Sequence, residues 1–89
     1  MTDDAARVVL YRRAGCHLCD VAREVVAAAA ATAGARWVEI DVDAAVADDG
    51  GALQREYGEH VPVVLVDGVQ RGFWRIDADR LAVALGEPR

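Results

Sequence analysis

No apolar run in this sequence exceeds seven residues: the longest, Val25 to Ala31, is mostly alanine and far short of the roughly 20 residues needed to cross a bilayer. A membrane-spanning segment is not expected. Basic charge is also scarce, with 10 basic against 15 acidic residues and a formal net charge of −5. Without a basic stripe to neutralise phosphates, the chain does not read as a nucleic-acid binder. The opening Met1-Thr2-Asp3-Asp4 lacks the basic start and apolar stretch of a secretory signal, which makes a cytoplasmic location the expectation. Cysteine is limited to Cys16 and Cys19. A bond between them closes almost no loop and stabilises little, so a secreted disulfide framework is excluded. What remains for such a pair is redox chemistry or metal binding.

The 89 residues, 54% of them hydrophobic, predict one domain spanning 1–89 with residues 1–6 as a flexible leader. Val8-Val9-Leu10-Tyr11 is a β-branched and aromatic run that reads as a buried strand, ended at Arg12-Arg13-Ala14-Gly15. From Leu18 onward, apolar positions 18, 22, 25 and 29 follow the helical repeat up to Gly34. Arg36 to Val42 predicts a second strand, completing a βαβ unit. Asp43 to Gly51 gives mixed signals, and a short helix is placed over Ala52 to Tyr57 with Gly58 at its end. Val63 to Val66 and Val69 to Phe73 flank Asp67-Gly68, a type I′ hairpin signal. Asp77 caps a last helix reaching Leu85, with Gly86 and Pro88 closing it. The order β-α-β-α-β-β-α implies an α/β fold with a single mixed sheet and helices on its faces.

The segment Cys16-His17-Leu18-Cys19 opens the first helix. Disulfide exchange needs a thiolate, and a helix N-terminus favours one through its unpaired N–H groups and its dipole. Cys16 is therefore the candidate nucleophile and Cys19, one turn further in, the resolving thiol. His17 within the motif would add positive charge if protonated. Asp20 complements the helix N-terminus, and Leu18 is expected in the core. Val61-Pro62 stands before the third strand, where a proline marks an edge, a bulge or a cis peptide; beside an upstream C-x-x-C, cis is favoured. Trp37 reads as core or edge packing. Of Phe73 and Trp74, one is expected in the core, while the pair could instead offer an apolar surface to a protein substrate. Asp41, Asp43, Asp48 and Asp49 lack the spacing of a calcium loop and read as a solvated acidic edge.

Leu10 to Cys19, His60 to Gly68 and Gly72 together resemble the glutaredoxin-like branch of the thioredoxin superfamily, over nearly the whole chain. The resemblance implies a thioredoxin-like fold of four mixed strands flanked by three helices, with the Val61–Pro62 bond cis and packed against the cysteines. It implies that Arg13 meets a glutathione carboxylate and that Val61 offers its backbone to the tripeptide. The chain departs from the usual glutaredoxin pattern in having His17-Leu18 between the cysteines, which looks closer to a subgroup with a C-H-L-C-D signature. Arg75 stands where the relatives place an acid for a ligand ammonium, which disfavours glutathione itself. The expected activity is dithiol reduction of protein or low-molecular-weight disulfides by a cytoplasmic bacterial monomer. No resident cofactor is expected beyond a Cys16–Cys19 disulfide, recycled by glutathione, another small thiol or a reductase. Two alternatives stay open: zinc or an iron–sulfur cluster on the cysteines with His17 or His60, although a closed zinc site wants four ligands, and a binding module without turnover.

Overall fold

The computed structural model of the protein describes residues 6–87. The expected leader up to residue 5, and Pro88, lie outside the described residues. The elements are β1 (Val8–Arg12), α1 (His17–Ala33), β2 (Trp37–Asp41), α2 (Val46–Asp49), α3 (Ala52–Tyr57), β3 (Val63–Val66), β4 (Val69–Phe73) and α4 (Ala78–Gly86). The strands form one mixed sheet in the order β2-β1-β3-β4, with β1 parallel to β2 and antiparallel to β3, and β3 antiparallel to β4. The expected mixed α/β sheet with flanking helices is therefore present, and α2 adds a single turn within the segment that gave mixed signals.

Alternation along the central strands sorts the side chains by face. Val8 and Leu10 of β1 pair with Val66 and Val64 of β3, and all four are buried with Ala22 and Val26 of α1 and Leu81, Ala84 and Leu85 of α4. Burying a Val or Leu side chain contributes about 1.5–3 kcal/mol, so this cluster is the main stabilising unit of a small chain. On the opposite face Tyr11 stacks on Tyr57 of α3, with ring centroids 4.6 Å apart. Asp67 (φ 52°) and Gly68 (φ 84°) turn β3 into β4 with the positive dihedrals of the predicted hairpin. Asp77 accepts the Arg80 N–H at 3.0 Å as the cap of α4. Among the described residues no helix is long and apolar enough to cross a membrane.

Some expectations are corrected. The buried stripe of α1 is Cys19, Ala22, Val26 and Ala30, and Leu18 is only half-buried. The phase differs because α1 packs on two neighbours: small residues face the sheet, while Val25 and Ala29 line a groove toward α4. The acidic segment is not merely a solvated edge. Asp41 accepts the N–H groups of Asp43 (2.8 Å) and Ala44 (3.2 Å), and Asp49 those of Gly51 (2.8 Å) and Leu53 (3.2 Å). Gly50 (φ 68°) and Gly51 (φ 94°) separate α2 from α3 in a left-handed geometry that needs glycine.

Neither Phe73 nor Trp74 enters the core; both are more than half exposed. An irregularity between Val64 and Leu65 shifts the β3–β4 register, so that Gly72 pairs with Val64 and Gln70 with Leu65. Ile76 then packs against the core, its Cδ1 near Gly72, in the place expected for an aromatic ring.

Candidate functional site

Parallel β1–β2 and antiparallel β1–β3–β4 pairing brings four segments to one end of the sheet: the exits of β1, β2 and β4 and the entry to β3. The exit of β1 carries Arg13 and Cys16, and that of β2 carries Asp43. The entry to β3 carries Val61 and Pro62, and the exit of β4 carries Phe73 and Trp74. Residues as far apart in sequence as Cys16 and Trp74 thereby share one rim.

Cys16 is the N-cap of α1, with extended backbone (φ −90°, ψ 109°), and its Sγ accepts the Cys19 N–H at 3.1 Å. That contact places sulfur where a serine or aspartate oxygen normally caps a helix, on N–H groups that favour an anion. Cys16 is half-buried, and Cys19 is fully buried one turn behind it; both are free cysteines. Burial pushes the Cys19 thiol up to about 11, with the neighbouring Cys16 sulfur adding to the rise and the Arg13 backbone N–H and the Arg12 charge opposing it. The two sulfurs are thus unlike: one faces the rim, the other is held behind it in the protonated form.

Arg13 is turned to the protein. Its Nε and Nη2 donate to the Asp43 carboxylate at 2.9 and 3.1 Å, and its Nη1 donates to the Gly58 carbonyl at 3.1 Å. Gln54 Nε2 donates to the same carboxylate at 2.7 Å. These hydrogen bonds hold the Asp43 carboxyl below its ordinary range and raise the guanidinium. The network ties the loop before Cys16 to the chain leading into Val61–Pro62. Gly58 is required at that junction because any Cβ would collide with the Gln54 carbonyl.

The Val61–Pro62 bond is cis. Pro62 is buried and its carbonyl accepts the Trp74 N–H at 2.7 Å, while Val61 is half-buried and its backbone takes no hydrogen bond among the described residues. His17 is exposed at the first position of α1. His60 meets Phe73 edge-on, with centroids 6.0 Å apart. Among the described residues no group of three or more His, Cys, Asp or Glu side chains comes close enough to hold a metal ion.

Sequence reasoning missed a second charge cluster. Arg12 pairs with Asp20 (3.1 Å) and Glu39 (3.6 Å), and Arg23 pairs with Glu39 (3.4 Å). The Glu39 Oε2 is buried without a hydrogen bond, held only by these two cations. Glu39 shares the Trp37 face of β2, beneath α1, and the outward-inward alternation of that strand was the one signal that could have placed it.

A four-stranded mixed sheet with a C-x-x-C pair at a helix N-terminus and a cis-proline at the adjoining strand entry defines the thioredoxin-like class. Residues 7–86 match the family model of the glutaredoxin-like domain (DUF836), and the chain belongs to that family. Proteins of Mycobacterium tuberculosis and Mycobacterium bovis, both named as uncharacterized, are each 37% identical over 75 residues, 84% of this chain and 77% of theirs. A solved structural-genomics target from X. campestris is 36% identical, covers 88% of this chain and 93% of its own, and superposes with a TM-score of 0.65. A mutated buckwheat glutaredoxin shares the fold at 20% identity and a TM-score of 0.58, covering 92% and 78% of the two chains. Family and fold support a thiol-redox role.

Proposed function

We propose that the protein is a thiol–disulfide oxidoreductase working through both cysteines. The observation that carries this reading is the asymmetry of the pair: Cys16 caps α1 with its sulfur on a backbone N–H, and Cys19 is buried directly behind it. The Cys16 thiolate attacks one sulfur of a substrate disulfide, forming a mixed disulfide and expelling the other sulfur as a thiolate. Cys19 then loses its proton to solvent and attacks Cys16 Sγ, releasing the substrate sulfur and leaving a Cys16–Cys19 disulfide. Two electrons have passed from the dithiol to the substrate.

The protonated state of Cys19 fits this order. Part of what holds its proton is the adjacent Cys16 sulfur. Once Cys16 is locked in a mixed disulfide that influence weakens, so Cys19 ionises more readily when it is needed. Arg13 acts here through the protein, positioning the cysteine loop against Gly58. The Val61 backbone offers an open edge for an extended substrate beside Pro62, and His17 lies on the solvent side of the motif. An external dithiol reductase or a low-molecular-weight thiol such as glutathione returns the electrons.

Redox titration of the purified protein, with mass spectrometry of trapped thiols, tests the reading. The expected result is a reversible two-electron couple joining Cys16 to Cys19. Cys16→Ser should reduce exchange to the uncatalysed background, and Cys19→Ser should stall at the mixed disulfide. Full turnover by Cys19→Ser would replace the dithiol route with a monothiol one. Failure to form the intramolecular disulfide in any oxidising buffer would overturn the proposal.

A further inference from the structure

Phe73 and Trp74 are the large exposed aromatic side chains on the rim that carries Cys16, at 53% and 59% exposure. Trp74 is held at φ 63°, a left-handed conformation that costs a bulky residue about 1–2 kcal/mol. Its N–H is fastened to the Pro62 carbonyl at 2.7 Å, so the ring is anchored beside the cis-proline, and Phe73 is braced by His60. Exposing two aromatics and straining one of them contributes nothing to the core, where Ile76 packs instead.

Of the three shallow concavities that Phe73 lines, two flank this ledge. One, of about 300 Å³, is bounded by Val61, Phe73, Trp74, His60 and Glu59. The other, of about 260 Å³, holds Arg75 and Arg80 with Asp77. Arg75 is exposed and has no ion-pair partner among the described residues, whereas Arg71 beside it is paired with Glu87 at 2.7 Å. Asp77 is occupied in capping α4. On a chain of net charge −5, an unpaired cation against an exposed aromatic ledge is complementary to an apolar segment that carries an acid.

We infer that the Phe73–Trp74–Arg75 ledge docks an extended peptide segment of a protein disulfide, with an aromatic or aliphatic residue on the rings and an acidic residue toward Arg75. The inference rests on the oxidoreductase reading and names its substrate class. The free Val61 backbone sits beside the first concavity, so a strand-like segment could pair there while its cysteine approaches Cys16. Glu59, on the Val61 side, repels an acid at that end and sets the direction of the segment.

The test uses single-turnover release of 2-nitro-5-thiobenzoate from its mixed disulfides with three pentapeptides and with mercaptoethanol, by the reduced full chain. One pentapeptide carries Phe and Glu beside a single cysteine; in the others Phe is replaced by Ala or Glu by Lys. The Phe/Glu peptide should react about tenfold faster than either counterpart, the effect of roughly 1.4 kcal/mol of differential contact. Phe73→Ser combined with Trp74→Gly should erase the Phe-over-Ala preference, and Arg75→Glu should reverse the Glu-over-Lys preference. Each is read as a ratio to the mercaptoethanol rate, so a general loss of activity does not imitate it. Equal ratios for the three peptides would overturn the docking inference and leave the oxidoreductase reading intact. No release from any of the four probes would instead sink the oxidoreductase reading.

Discussion

The two sides of the rim that carries Cys16 are built on opposite principles. On the β1–β2 side, polar groups are paired: Arg13 with Asp43 and Gly58, Gln54 with Asp43, Cys16 with the Cys19 N–H. On the β4 side, aromatic rings face solvent, Trp74 sits in a left-handed conformation, and Arg75 lacks an ion-pair partner among the described residues. Exchange chemistry requires the nucleophile to be held within a narrow geometry, which is what cross-linked hydrogen bonds supply. Recognition of a partner requires groups whose contacts are still to be made. On the proposed function, one end of one sheet would serve both by dividing them between its strands.

The strongest challenge to the ordered side is Gly58→Ala. Its new Cβ runs into the Gln54 carbonyl and displaces the carbonyl that accepts from Arg13. A cost of about 1–3 kcal/mol is expected, read as a melting temperature lower by roughly 4–8 °C per kcal/mol in a domain of this size. Exchange by Cys16 should slow with it, since the loop loses its tether.

Alkaline titration sharpens the comparison within the cysteine pair. The Cys19 thiol, raised by burial from its ordinary value near 9 to about 11, binds its proton more tightly folded than unfolded. The stability this contributes is complete below the unfolded value and is lost as pH rises toward about 11. Unfolding by denaturant should therefore show a stability decline between about pH 9 and 11 that Cys19→Ala makes shallower, the Tyr11 phenol, also raised by burial, supplying a further part of it. Over the same range iodoacetamide should modify Cys16 well before Cys19. Equal alkylation of the two at neutral pH would contradict the buried position of Cys19.

The smallest effect belongs to the loose side. Trp74→Gly relieves the positive φ, against which stands the greater chain entropy of glycine, so the net gain in stability should be no more than about 1 kcal/mol. A variant that melts at or slightly above the parent temperature confirms that Trp74 is not a core residue. A large loss would return it to the structural role that its exposure denies.

How much of this was legible depended on the range of the interaction. Cys16 as a helix cap, Asp67-Gly68 as a hairpin turn and Asp77 as the cap of α4 are decided within three or four residues, and each could be read from the chain. Arg13 was legible as a charge near Cys16, but its partner lies 30 residues away and becomes a neighbour only because β2 runs parallel to β1. The Glu39 cluster and the phase of α1 were hidden for the same reason, since each depends on which element packs above which strand. Phe73 and Trp74 were misplaced because a register shift in β3–β4 is invisible to alternation.

The sequence by itself determined the order of the elements apart from α2, the hairpin turn and the cap of α4, and the cysteine pair at a helix start, because backbone geometry and local hydrogen bonding act over one turn. Only the tertiary structure decided which charges neutralise one another and which aromatics remain outside. Those outcomes are settled by sheet order and register, which bring together residues that the chain itself keeps apart.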